Sequence, residues 1–318
     1  MTIVYSDRYD FDLGAHVFPM RKYALLRARL AERGLAAPAD FIEPASASWD
    51  DLALVHTAGY LLKLQFGGLS PEDLGALELP WSPEIVEGFR LMTGGTLLAA
   101  RLALGLSPDG QVPGGPERAA GPAWPVVVHL GGGFHHAFPT HGEGFCMFND
   151  VAVAIRALER DRAVTRVAIV DLDVHHGNGT AAIFKGLPAV FTFSMHQLHN
   201  YPAQKPPGTL DVGLADGASD VEYLLNLREA LPKVVASGPD LMIYLAGADP
   251  YDDDQLGGLC LSKEGLRERD RMVMRAARQA FVPLVVTLAG GYARRVEDTV
   301  DIHAATVEAA LAASTGSG

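Results

Sequence analysis

Cysteine is nearly absent: the 318 residues contain two, Cys146 and Cys260. Two thiols make no disulfide framework, and a reduced cytoplasmic setting is the expectation. Basic charge is also scarce, with 26 Lys and Arg against 38 Asp and Glu, a formal net charge of −12. Gripping a phosphate backbone takes clustered cations, so direct nucleic-acid binding is not expected. The one dense run of basic character, Arg267 to Arg278, is interleaved with acidic residues and reads as a solvated helix face. No stretch approaches the roughly 18 consecutive apolar residues of a membrane span. The first residues, MTIVYSDRYDFDLG, lack the basic start and apolar core of a secretory signal. No repeat recurs at periods of about 20–50 residues, which argues against solenoids and propellers.

What is present is the composition of an ordinary globular protein, 48% hydrophobic and 20% charged. Short β-branched runs alternate with longer helical patterns. Strands are expected at Ile3–Tyr5, Val126–Leu130, Val167–Val170, Val190–Phe193, Leu241–Leu245 and Leu284–Leu288. Most are continuous apolar runs, as in strands covered on both faces. Helices are expected near Pro19–Arg33, Glu84–Leu104, Asn149–Arg160, Asp220–Ala236, Lys263–Phe281 and Asp298–Ala313. Pro83 suits a helix start and Gly34 a helix end. The alternation predicts an α/β fold: one domain, a three-layer open sheet, mostly parallel, with helices on both faces. Ser107–Pro125, rich in Pro and Gly, reads as a surface loop, residues 1–312 as the domain and 313–318 as a flexible tail.

Four clusters of chemically capable residues each follow a predicted strand. The densest is Asp171-Leu172-Asp173-Val174-His175-His176-Gly177-Asn178-Gly179. In extended chain, residues two apart share a side, so Asp171, Asp173 and His175 are expected to project together past a strand end. The carboxyl ends of parallel strands form the ligand crevice of open sheets, and a mixed Asp/His set suits a divalent metal such as zinc. Asp249 stands at the end of Leu241–Leu245 as a third ligand, which would leave an open position for water. Each of these residues alone reads equally well as a strand-end cap or a turn residue.

The second cluster, Gly131-Gly132-Gly133-Phe134-His135-His136-Ala137, offers two adjacent histidines for acid/base work. By itself, the pair also reads as metal-binding or merely solvent-facing. The last cluster, Leu288-Ala289-Gly290-Gly291-Tyr292, offers a hydroxyl that can donate to a developing oxyanion, or simply a packed aromatic ring.

Taken in order, GGGFHHA, GFCMFND, DLDVHHGNG, AGAD and GGY resemble the histone deacetylase family of the arginase–deacetylase fold, over nearly the whole chain from Ile3 to about Val296. His16-Val17-Phe18-Pro19-Met20, Glu143-Gly144-Phe145-Cys146, Asn200-Tyr201-Pro202 and Asp254-Gln255-Leu256-Gly257-Gly258-Leu259 look like the class IV branch and its bacterial relatives. The resemblance implies zinc, or alternatively iron(II), held by Asp173, His175 and Asp249. It implies His135 and His136 as tandem histidines, with His136 the general base and acid. Asp171 orients His135, and Tyr292 polarises the substrate carbonyl. Phe145, Tyr201 and Leu256, with Gly144 and Gly291, would line an acyl-lysine tunnel. A structural potassium or sodium ion would fall on Asp171, Asp173, His175, Ser194 and Met195. Asn178 stands where class I members have an aspartate, as in classes II and IV. A neutral partner supports an imidazolium less than a carboxylate does, so His136 is expected to be less basic than in class I.

The activity so implied is hydrolysis of an acyl-amide bond on lysine or a lysine-like amine, with an acyl-lysine peptide or an acylated small amine as substrate. Three rivals remain: an acetylpolyamine-type amidohydrolase, a binuclear manganese ureohydrolase, and a silent acyl-lysine binder. The last has no need of the ligands, histidines and Tyr292 together. No membrane association is expected, and nothing in the sequence sets the oligomeric state or the acyl chain length.

Overall fold

The computed structural model describes residues 1–111 and 124–315. The central part of the expected Ser107–Pro125 loop and the last three residues of the expected tail lie outside the described residues. In chain order the elements are β1 (Thr2–Val4), α1 (Lys22–Glu32), β2 (Phe41–Ile42), α2 (Trp49–Leu52), α3 (Ala58–Phe66), α4 (Pro71–Leu77), α5 (Pro83–Ala103) and β3 (Val126–His129). There follow α6 (Asp150–Arg160), β4 (Val167–Asp171), α7 (Asn178–Phe184), β5 (Val190–Gln197), β6 (Leu210–Leu214) and α8 (Asp220–Ala236). The chain ends with β7 (Leu241–Leu245), α9 (Lys263–Gln279), β8 (Leu284–Thr287) and α10 (Val296–Thr315). α10 therefore continues three residues into the segment expected to be a tail.

The eight strands form one sheet in the order β2-β1-β3-β8-β7-β4-β5-β6. Every pairing is parallel. Alternate residues of each strand serve the two faces. Leu241, Ile243 and Leu245 join Val167, Ile169 and Val285 in a core completed by Leu98 of α5 and Ile155 of α6. Met242, Tyr244, Ala168, Val170 and Val286 enter a second core with Leu26 of α1, Leu227 of α8, Val273 of α9 and Val307 of α10. Each such aliphatic side chain contributes about 1.5–3 kcal/mol by leaving water. Two covered faces explain why these strands read as unbroken apolar runs.

Local signals set the helix ends. Ser82 caps α5, its hydroxyl accepting from the Ile85 amide, and Pro83 occupies the first helical position. Asn149 caps α6 in the same way through Ala152 N. Gly34, just past the end of α1, has φ +67°. Among the described residues, no helix is long and apolar enough to cross a membrane.

The expectation of a solvated face along Arg267–Arg278 holds at Arg271 and Arg275 but fails at two residues. Arg269 and Asp270 are fully buried. The Arg269 guanidinium donates to Asp270 (2.9 Å) and to the carbonyl oxygen of Gly247 (2.6 Å), with Leu172 O at 3.4 Å. Asp270 also accepts from Tyr244 and Thr306. This ion pair braces, from behind, the segments that leave β4 and β7.

Candidate active site

Four neighbouring strands at the middle of the sheet, β3, β8, β7 and β4, deliver the four clusters to one edge. After β3 the chain turns through Gly132 and Gly133, at φ +71° and +84°, a region that favours glycine. The turn is held from below by the buried Asp150 at the start of α6, which accepts from Gly133 N (2.9 Å) and Phe134 N (2.7 Å). His135 and His136 follow at once. His135 Nδ1 meets Asp171 Oδ2 at 2.7 Å, and the Nε2 atoms of the two histidines are 3.1 Å apart. Burial works against charge on His135, but Asp171 and Asp173 outweigh it and raise its pKa to about 9. His136 is pushed well below the usual range by burial and by the positive His135 and His175.

Asp173, His175 and Asp249 converge, each offering one donor atom within 4.8 Å of the others, all buried. Their loops are laced together. Asp249 Oδ1 accepts from Val174 N (2.9 Å), and Asp173 Oδ2 from Gly290 N (2.8 Å). Asp249 Oδ2 is buried and has no hydrogen-bond partner. Burial and the neighbouring Asp173 push the Asp249 carboxyl up to about 7. Two buried carboxylates beside one imidazole, with the unpartnered Asp249 Oδ2 3.7 Å from His175 Nδ1, suit a divalent cation. The residues present therefore fit a metal. Behind Asp171, the β4–β5 register pairs it with Ser194, with Met195 buried beside it.

Tyr292 stands on the same cavity as His135, His136, Asp173 and His175. Burial, then Asp173 and Asp249, raise its pKa well above the ordinary value, so the hydroxyl keeps its proton. Asp254 fixes its backbone: Oδ2 accepts from Tyr292 N (2.6 Å), Oδ1 from Leu256 N and Gly257 N. Gly144, Phe145, Tyr201 and Leu256 line the cavity, as do Phe18 and Phe134. Phe145 has φ +64°, unusual for a residue with a Cβ. Its amide is tied to Leu77 O, and that of Gly144 to Ala76 O, which holds the ring against the opening. Gly291, expected on the tunnel wall, is not there. It faces Ala248, Thr299 and His303, and Gly290 takes the wall position.

Some contributors have partners that the sequence does not reveal. Glu143 accepts from both Asn178 (2.6 Å) and Tyr201 (2.9 Å), and Asn178 Oδ1 meets His136 Nδ1 at 2.7 Å. Lys22 is buried, donates to Ala289 O (3.1 Å) and lies 5.7 Å from the Tyr292 ring. Burial lowers its pKa to about 8, although Asp249, Asp173 and Asp254 oppose the shift.

Comparison with known proteins gives the family. The histone deacetylase domain model matches residues 16–307. An uncharacterized protein of Picosynechococcus is 38% identical over 91% of this chain and 90% of its own length. Histone deacetylase 2 of Arabidopsis thaliana is 32% identical, covering 95% of this chain and 78% of the relative. The acetoin utilization protein AcuC of Bacillus subtilis is 30% identical, covering 91% and 76%. Among solved structures, the HDA15 HD domain aligns with a TM-score of 0.75 at 21% identity, over 98% of this chain and 91% of that one, a likeness of fold. Its relatives point to a hydrolase, and the chain belongs to the histone deacetylase family.

Proposed function

We propose that this protein is a metal-dependent lysine deacylase, hydrolysing an acyl-amide bond on lysine or a lysine-like amine. The observation that carries the reading is the unpartnered Asp249 Oδ2, clustered with Asp173 and His175, which line the cavity together with His135, His136 and Tyr292. Asp173, His175 and Asp249 would hold the ion, zinc in the first place and iron(II) as the alternative. Such an ion supplies Lewis-acid polarisation of the amide carbonyl and acidifies a water. His136, low in pKa and hydrogen-bonded through Nδ1, presents Nε2 as the base that takes a proton. Having taken that proton, His136 would pass it to the leaving amine, while His135 is held by Asp171 beside it. Tyr292, kept protonated, donates to the developing oxyanion. Phe145, Tyr201 and Leu256 form the walls along which the acyl-lysine stem would lie. Asp171, Asp173, His175, Ser194 and Met195 are the proposed site of a structural potassium or sodium ion.

An acylated small amine is the second substrate class. A relative from Pseudomonas aeruginosa, 32% identical over 84% of this chain, is described as a histone deacetylase-like amidohydrolase. Metal content and hydrolysis measured on one purified sample test both readings, with acetyl-lysine peptide, long-chain acyl-lysine peptide and an acetylated polyamine as substrates. About one zinc per chain, as a catalytic site of this type requires, with chelator-sensitive cleavage of either peptide supports the lysine deacylase. Cleavage of the polyamine alone selects the small-molecule amidohydrolase, and two manganese ions per chain would overturn both.

A further inference from the structure

Glu143 lies outside the metal ligands and the tandem histidines, yet one of its oxygens ties two parts of the site together. Oε1 accepts from the Asn178 side-chain amide at 2.6 Å and from the Tyr201 hydroxyl at 2.9 Å, while Oε2 faces His141 Nε2 at 3.4 Å. A carboxylate only accepts hydrogen bonds, so it takes the NH₂ end of Asn178 and turns the carbonyl end toward His136. That carbonyl meets His136 Nδ1 at 2.7 Å, a bond that exists only when Nδ1 carries the hydrogen. A neutral imidazole has one N–H, so Nε2 is left with its lone pair. The contact between the Nε2 atoms of His135 and His136 at 3.1 Å fits, because the bridging hydrogen then belongs to His135.

We propose that Glu143 is a positioning residue that fixes the tautomer of His136 through Asn178 and, with the same oxygen, seats the Tyr201 wall of the acyl tunnel. This inference rests on the deacylase reading for its catalytic consequence, but not for its geometry. An asparagine amide has two ends of nearly equal shape. Without an acceptor-only partner it can flip, donate to Nδ1 and leave the hydrogen on Nε2, where no proton can be taken up. Tyr201 packs edge-on over His136 with ring centroids 5.0 Å apart, so the wall and the base share one anchor.

The test uses the full-length zinc-loaded protein labelled with ¹⁵N-histidine, with long-range ¹H–¹⁵N correlations reading each ring's tautomer. The His136 signals are assigned from their loss in His136→Asn. The wild type is expected to show His136 protonated on Nδ1. Glu143→Gln, which keeps the shape but can donate, should shift His136 toward the Nε2–H form. Holding a base in the wrong tautomer costs on the order of 10⁴ in turnover in a serine protease. Because the glutamine permits both orientations, kcat should fall by about tenfold to a hundredfold.

Glu143→Gln combined with Asn178→Asp restores an acceptor-only group at Nδ1, and should regain both the Nδ1–H signature and most of the lost kcat. Tyr201→Phe, which breaks only the wall contact, should raise KM while leaving the His136 signature in place. An Nε2–H signature in the wild type, or an unchanged Nδ1–H signature in Glu143→Gln, overturns the proposal. Absence of hydrolysis by the wild type would sink the deacylase reading instead, and the tautomer measurement would still decide the role of Glu143.

Discussion

Gly290 lies against Asp249 with no room between them: a Cβ on Gly290 would overlap Asp249 Oδ2 and stand 2.6 Å from Asp173 Oδ2. The glycine is needed where two carboxylates turn inward. Gly290→Ala should therefore weaken metal binding by about 10- to 100-fold or more, in the range found when groups supporting metal ligands are altered. Zinc titration checks this, with circular dichroism to show that the fold survives. Wild-type affinity in the variant would contradict the ligand assignment.

Tyr292 is buried, protonated and free to donate into the cavity. Tyr292→Phe is expected to fold and bind metal normally but to lose about 10²–10³ in kcat, the usual loss for one oxyanion donor. Steady-state kinetics on an acyl-lysine peptide give the answer; turnover within a few-fold of wild type would remove Tyr292 from the chemistry.

Asp254 holds Tyr292 by its backbone rather than its ring, through the 2.6 Å bond to Tyr292 N. Asp254→Ala frees that amide together with those of Leu256 and Gly257. We predict a kcat loss smaller than that of Tyr292→Phe, with metal content unchanged. Loss of the metal would instead place Asp254 in support of Asp249.

Arg269 and Asp270 are paired out of reach of water, and Arg269 also ties down the carbonyls of Gly247 and Leu172. Removing one partner of such a pair leaves an uncompensated buried charge, at a cost of about 3–5 kcal/mol. Arg269→Met should lose stability of that order in denaturant unfolding. A loss under about 1 kcal/mol, typical of exposed pairs, would show that the brace carries little.

His56 is buried between Phe138 O, at 3.0 Å from Nδ1, and Asn149 N, which donates to Nε2 at 3.1 Å. Burial lowers its pKa from 6.5 to about 4. The unfolded chain therefore takes up a proton near pH 6.5 that the folded protein refuses until about pH 4. The stabilisation is whole above pH 6.5 and is lost as the pH falls toward 4, by roughly 3 kcal/mol across that span. Unfolding free energies at pH 7, 6 and 5 should decline less steeply in His56→Gln than in the wild type. Parallel slopes would refute the assignment.

Six of the eight strands were legible in the sequence because both their faces are covered, which leaves an apolar run such as Leu241–Leu245. The two that escaped notice, Phe41–Ile42 and Leu210–Leu214, are the sheet's edges. β6 alternates between half-buried and exposed, and β2 has two residues. β5 runs four residues beyond its apolar stretch because Ser194 to Gln197 pair with β6. The residues that carry chemistry stood out as clusters beside glycines at strand ends. Lys22 and Arg269 did not, since a lone charged residue in a helix has no periodicity; Glu143 and Asp254 lie in motifs, but a motif does not say which groups they bond. The partners that tie them into the site are 22 to 267 positions away in the chain.

The position of β8 has a consequence for biosynthesis. Among the described residues it is the last strand in chain order, yet it lies at the centre of the sheet, bonded on one side to β3 and on the other to β7. Until it emerges from the ribosome, the two halves of the sheet share no edge, and their open edges are exposed to wrong pairing. Gly290 and Tyr292 arrive immediately behind it. A nascent chain ending before residue 284 thus has Asp173, His175 and Asp249, the three proposed metal ligands, but no frame to set them. The proposed metal site is therefore assembled only once β8 has joined the two halves of the sheet, so metal uptake would report that joining.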